Sequence, residues 1–115
     1  MTIISQKGIF NRLISIFKNL YTNKNIQMII ITHCIIIIVF MFLYYLISKR
    51  YPNSFNYPKE NLTLFDSLYL SSVNHSTLGY GDITPKRKLA KTLVIIHILL
   101  VFFIAFLEIK NMISN

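Results

Sequence analysis

Apolar residues in this chain are gathered into long runs rather than spaced as a soluble core requires. The first run extends from Ile26 to Ser48 without a single Asp, Glu, Lys or Arg. The second extends from Leu89 to Ile109, broken only by Lys91 and Glu108 near its ends, where a charged head can reach the interface. At 1.5 Å of rise per residue, each run covers the roughly 30 Å of a bilayer's hydrocarbon. Both are expected to be membrane-spanning helices. Isoleucine dominates the first and would suit a buried strand, but a strand of that length is out of scale for so small a chain. A cleaved signal segment is rejected too: its apolar core would be about 7–15 residues long and end at small residues, whereas this run ends Leu46-Ile47-Ser48-Lys49-Arg50.

The pattern changes on either side of the first run. Ile9, Phe10, Leu13, Ile14, Ile16, Phe17, Leu20 and Tyr21 share one side of a helical wheel, opposite Lys7, Asn11, Arg12, Ser15, Lys18 and Asn19. This predicts an amphipathic helix over 1–22 lying in the membrane interface. Thr22-Asn23-Lys24-Asn25 is a polar hinge that offers an N-cap to the span at 26–48. Residues 49–62, with two prolines and several asparagines, read as an exposed outer loop. Thr63-Leu64-Phe65-Asp66 resembles a capping box with Asp in place of Glu, and Leu64, Leu68, Tyr69 and Val73 follow at helical spacing. The helix expected over 64–75 is too short to cross a bilayer. It lies outside the membrane or dips in and returns, and a returning backbone must be buried in protein or line water. The second span is expected over 89–109, with no room after it for a soluble regulatory domain.

A formal charge of +8 raises the question of nucleic acid. Lys and Arg, however, sit mainly at the edges of the apolar runs and in the amphipathic segment, which points to anionic lipid headgroups and not to nucleic acid. Cys34, the single cysteine, falls inside the first span and reads as a packing residue, so no intrachain disulfide is available.

The chemistry is concentrated in residues 76–82, Ser-Thr-Leu-Gly-Tyr-Gly-Asp. To strip water from K⁺, a protein must replace the hydration shell with oxygens of similar number and distance, and rings of backbone carbonyls do this. Successive carbonyls of an ordinary strand point in opposite directions. Aiming several inward needs alternating dihedral sense, which Gly79 and Gly81 accept at little steric cost. The Thr77 hydroxyl would add an innermost ring beneath the carbonyls of Thr77, Leu78, Gly79 and Tyr80. Leu78 and Tyr80 would point away from the ion. Asp82 would accept a hydrogen bond behind this segment and draw cations to its mouth. The C-terminal carbonyls of the short helix would add a partial negative charge facing a central cavity.

These residues resemble the signature of potassium channels. His75-Ser76-Thr77 and the segment after them resemble the miniature two-span potassium channels of chlorella viruses, over roughly 66–106, including Asp82-Ile83-Thr84-Pro85-Lys86 and His97 with Val101-Phe102-Phe103-Ile104. The resemblance implies an all-α membrane protein, a homotetramer with two transmembrane helices per subunit and a re-entrant pore helix. Its selectivity filter would hold K⁺ at Thr77, Leu78, Gly79 and Tyr80, with Gly81 closing the motif. It also implies passive K⁺ conduction, susceptibility to Ba²⁺, no organic cofactor, cytoplasmic termini and a host-cell membrane. Asp82, Ser76, His75 and Tyr69 would support the filter. Leu78 stands where Val or Ile is usual, and Tyr69 and Leu70 stand where many larger channels carry paired tryptophans, so the aromatic cuff is reduced.

Other residues carry a functional and a plainer reading side by side. His33 and His97 fall within spans, where a neutral imidazole bonded between helices competes with a pH sensor. His75, just before the glycine segment, would make a structural bond or take part in gating. Phe102, Phe103 and Phe106 would form an inner constriction that closes by dewetting, or face lipid. Glu108 and Lys110 would pair between subunits or be solvated, and Asn61-Leu62-Thr63 fits a glycosylation sequon that abuts the short helix. Basic residues lie on both sides of the first span, so charge alone leaves orientation open. Without an Arg-rich span in the sequence, no voltage sensor is expected. The competing functions are a non-conducting adaptor subunit and a lipid-permeabilising basic peptide.

Overall fold

The computed structural model describes residues 2–114, and side chains from residue 5 onward. Four helices occupy most of the chain: α1 (Thr2–Thr22), α2 (Lys24–Arg50), α3 (Leu64–His75) and α4 (Lys88–Ser114). Two short strands, β1 (Phe55–Asn56) and β2 (Thr84–Pro85), lie in the connections on either side of α3. The chain divides into two compact units, one ending at Cys34 and the other beginning at Ile35.

In the first unit the expected hinge is a single residue, Asn23, between α1 and α2. The i to i−4 ladder runs on across it, from Asn23 N to Asn19 O and from Gln27 N to Asn23 O, each 3.0 Å. The Asn23 carboxamide oxygen accepts from Asn25 N at 2.9 Å, as an N-cap does. Both faces of α1 are exposed, including Phe10, Phe17 and Tyr21.

Helices α2 and α4 are 27 residues each, about 40 Å long, and carry the two apolar runs. Neither contains Gly or Pro. Lys49 and Arg50 sit in the last turn of α2, where cations complement the helix dipole, and Pro52 comes two residues later. Most of their large apolar side chains are exposed, Ile38, Phe42, Leu46, Ile95, Leu99 and Phe103 among them. That is unsupportable in water and normal in lipid.

The buried core of the second unit is small. Phe40 and Tyr44 of α2, Phe55 of β1, Leu62, Leu70 of α3 and Ala90 of α4 cluster together, flanked by Ile36, Ile47, Tyr57, Ile83, Leu93, Val94 and Leu100. Helix α3 is docked by a buried serine, Ser71, whose Oγ donates to Ile37 O at 2.7 Å.

The segment read as an exposed loop proves partly buried. Ser54, Phe55 and Leu62 are inside, the Phe55 ring meets Tyr44 edge-on with centroids 6.0 Å apart, and Leu62 N donates to Ser48 Oγ at 2.6 Å. Its prolines and asparagines describe the turns correctly. They conceal an antiparallel pairing of β1 with β2, in the register Phe55 to Pro85 and Asn56 to Thr84.

Candidate functional site

The candidate site is the stretch between α3 and β2, held at both ends. Helix α3, which leads into it, begins on Thr63, whose hydroxyl accepts from Asp66 N at 3.0 Å. The Asp66 carboxylate accepts from the Tyr57 hydroxyl, a bond that lifts the Tyr57 protonation range above its ordinary value.

Helix α3 ends in a Schellman motif: Thr77 N donates to Asn74 O at 3.1 Å and Leu78 N to Val73 O at 3.2 Å, with Ser76 as C-cap. This motif needs a left-handed residue just past the cap, a place that glycine usually fills. Here it is Thr77, at φ 59°. Its hydroxyl donates to Ser76 O at 2.7 Å.

Left-handed residues then recur at every second position, with Gly79 at φ 59° and Gly81 at φ 85°. Among the described residues, the only other one outside glycine with positive φ is Asn53, so Leu78 and Tyr80 lie in the ordinary half of the map. This alternation of sign is the backbone condition for turning successive carbonyls to one side. The two glycines were legible in the sequence. The left-handed Thr77 was not, because a β-branched residue ordinarily avoids that region.

Ser76 to Asp82 are all exposed within one chain, Leu78 at 61% and Tyr80 at 67%. The far end is tied down by the β1 and β2 pairing, by Asn56 Nδ2 donating to Thr84 Oγ1 at 2.6 Å, and by Lys86 N donating to Ser54 O at 2.7 Å. Tyr69 of α3 donates its hydroxyl to the Asp82 carboxylate, and this bond raises the Tyr69 protonation range. Neither Tyr57 nor Ser54 stands out in the sequence as a site residue. Tyr57 is the more open to detection, as an aromatic with a donor just ahead of a capping box.

The remaining site residues fall into two groups. His75, at the last position of α3, and His97 of α4 are buried and meet at 3.2 Å, Nδ1 to Nε2. Tyr44 of α2 and Asn74 of α3 join them, and the Phe40 ring stacks on His97 with centroids 3.9 Å apart. No local pattern in the sequence distinguishes Tyr44, Asn74 and Phe40 from other polar or aromatic residues on helices. Phe102, Phe103 and Phe106, in contrast, are exposed on α4 and outside the packed core. His33 is part-buried in α2.

A family model described as ion channel matches residues 32–114. The chain is similar to potassium channel protein kcv of Paramecium bursaria Chlorella virus 1, 36% identical over 74 residues, which is 63% of this chain and 79% of that one. It is also similar to potassium channel subfamily T member 1 of Homo sapiens, 39% identical over 54 residues, and to a hyperpolarization-activated voltage-gated potassium channel of Methanocaldococcus jannaschii, 44% identical over 41 residues. Those two matches cover 47% and 36% of this chain but only 4% and 19% of the relatives.

Proposed function

The chain belongs to the ion-channel family, and on that premise we propose that four copies assemble around an axis to conduct K⁺ passively through a filter built from residues 77–81. The observation that carries this reading is the left-handed backbone at Thr77, Gly79 and Gly81 alternating with ordinary residues at 78 and 80, in a stretch exposed in the single chain. Backbone at membrane depth needs partners for its polar groups. Four such stretches facing one another would give each carbonyl ring an ion or water to hold, and would cover the outward-turned Leu78 and Tyr80 with neighbouring subunits.

In this assembly α3 is a re-entrant pore helix and α2 and α4 span the membrane. The Asp82 end faces outside, which leaves both termini in the cytoplasm. Thr77, Leu78, Gly79 and Tyr80 hold K⁺ through their carbonyls, and the Thr77 hydroxyl adds a ring beneath them. Asp82, tied to Tyr69, Ser76 and His75 support the filter, and Phe102, Phe103 and Phe106 line an inner constriction. Helix α1 lies on the inner leaflet, with its basic side toward anionic headgroups. The similarity to a channel of a chlorella virus favours a host-cell membrane as its place of work. No covalent step is involved.

Reconstitution of the purified chain in a K⁺/Na⁺ gradient tests the proposal. A reversal potential close to that of K⁺ is expected. Gly79→Ala is expected to abolish the current, because a methyl at φ 59° costs about 1–2 kcal/mol per subunit and is repeated in each of the four. Absence of current in the native chain would favour a non-conducting adaptor. Unselective leakage insensitive to changes at Thr77 would point to a permeabilising peptide.

A further inference from the structure

Four polar side chains from three helices form a continuous line at the end of α3, where the candidate filter begins. Asn74 Nδ2 lies 3.1 Å from Tyr44 Oη, Tyr44 Oη lies 2.9 Å from His97 Nδ1, and His97 Nε2 lies 3.2 Å from His75 Nδ1. Tyr44 and His97 have no exposed surface and His75 is 9% exposed. With water excluded from the middle of the line, each polar atom there must be satisfied by its neighbour in the chain.

The chemistry of the first donor then fixes all the others. A carboxamide nitrogen carries hydrogens and no lone pair to share, so Asn74 donates and Tyr44 Oη accepts. The phenol has one hydrogen of its own. Directed at His97 Nδ1, it is satisfied; were His97 to carry a proton on Nδ1, the buried O–H would have no acceptor along this line. His97 Nδ1 is therefore bare and its proton is on Nε2, from which it donates to His75 Nδ1. His75 Nδ1 is bare in turn, and its proton is on Nε2.

We propose that Asn74, Tyr44, His97 and His75 form a one-way hydrogen-bond relay that sets the tautomer of both imidazoles and positions the turn from which the filter starts. The last step rests on the reading of the chain as a channel. The same residues serve both structures: the Asn74 side chain donates to Tyr44 while its carbonyl holds the Thr77 amide, and His75 immediately precedes the Ser76 cap. A shift of α3 against α2 or α4 would break the relay and move the foot of the filter together. Asn74, Tyr44 and His97 are thus positioning residues for the ion-binding backbone, which their side chains do not touch.

The test is ¹⁵N magnetic resonance of the full chain, labelled at histidine and reconstituted in bilayers at about pH 8, above the ordinary histidine range. The His33→Gln variant identifies the third imidazole. His97 and His75 are both expected to show a bare Nδ1 and a protonated Nε2. In Tyr44→Phe, which keeps the ring and removes the hydroxyl, His97 loses its single tautomer and mean open time falls about tenfold, the factor that one buried hydrogen bond corresponds to.

A proton on Nδ1 of His97 in the native chain overturns the proposal, and this reading needs no variant to fold. An unchanged His97 spectrum in Tyr44→Phe overturns it as well. The expected spectrum in a chain that carries no current supports the relay and removes the channel reading instead.

Discussion

Thr77 stands where a helix C-terminus asks for glycine, and it is left-handed at φ 59°. A β-branched residue in that region is strained by about 1–2 kcal/mol relative to its ordinary conformation. It persists because the two Schellman hydrogen bonds and the hydroxyl bond to Ser76 O hold the turn from both sides. Glycine would relieve the strain and lose the hydroxyl that the proposed innermost ring of ligands requires. Strain of this kind is stored where function over-determines the backbone.

Tyr69 and Asp82 offer a second test at the same scale. The Tyr69 phenol is raised above its ordinary value chiefly because it donates its hydrogen to the Asp82 carboxylate. The bonded form is the neutral phenol. The contact is therefore fully present below the ordinary tyrosine value of about 10 and is lost as pH rises through the raised one. Stepping the outer solution upward through this range is expected to shorten channel openings, and Tyr69→Phe is expected to show the shortened openings already at neutral pH, with no further alkaline change of this origin. Identical alkaline profiles in single-channel records of the two chains would count against the contact.

The elements around the site are joined by single polar bonds more than by area. Ser71 fastens α3 to α2, Ser48 receives the Leu62 amide, and β1 pairs with β2 for two residues each. Ser48 is 1% exposed and Leu62 3%, so Ser48→Ala leaves a buried N–H without its acceptor. That costs about 1–3 kcal/mol. A lower midpoint in thermal unfolding of the detergent-solubilised protein is the expected result, and an unchanged midpoint would show that Leu62 finds another acceptor.

At this level the apolar runs and the capping box were readable, since each is a local pattern with a local cause. The pairing of Phe55 with Pro85 was not. Two-residue strands are too short to display alternation, and their partners lie on opposite sides of α3.

For the whole molecule, the polar line through Tyr44, His97 and His75 and the brace of β1 on β2 hold the candidate filter at opposite ends within one subunit. What a single chain lacks is a cover for Leu78, Tyr80 and the backbone proposed to face the ion, which the proposed tetramer supplies. Helix α1 adds Lys7, Arg12 and Lys18 near the proposed inner leaflet, each worth about 1 kcal/mol against anionic lipid. A chain starting at Thr22 is expected to lose most of its current and its dependence on anionic lipid in planar bilayers. Full conduction by that chain would remove α1 from the mechanism.

Local pattern was enough to read two long apolar helices, a short capped helix between them and a Thr-Leu-Gly-Tyr-Gly segment, because each depends on residues near one another in sequence. The left-handed Thr77, the Tyr57 bond to Asp66 and the Asn74, Tyr44, His97 and His75 line required the folded chain. Tyr44 and His97 are 53 residues apart, and His75 and His97 are 22 apart. Which of several polar side chains meet across such separations depends on how three helices are rotated and set against one another. That choice is made by packing, and no local periodicity records it.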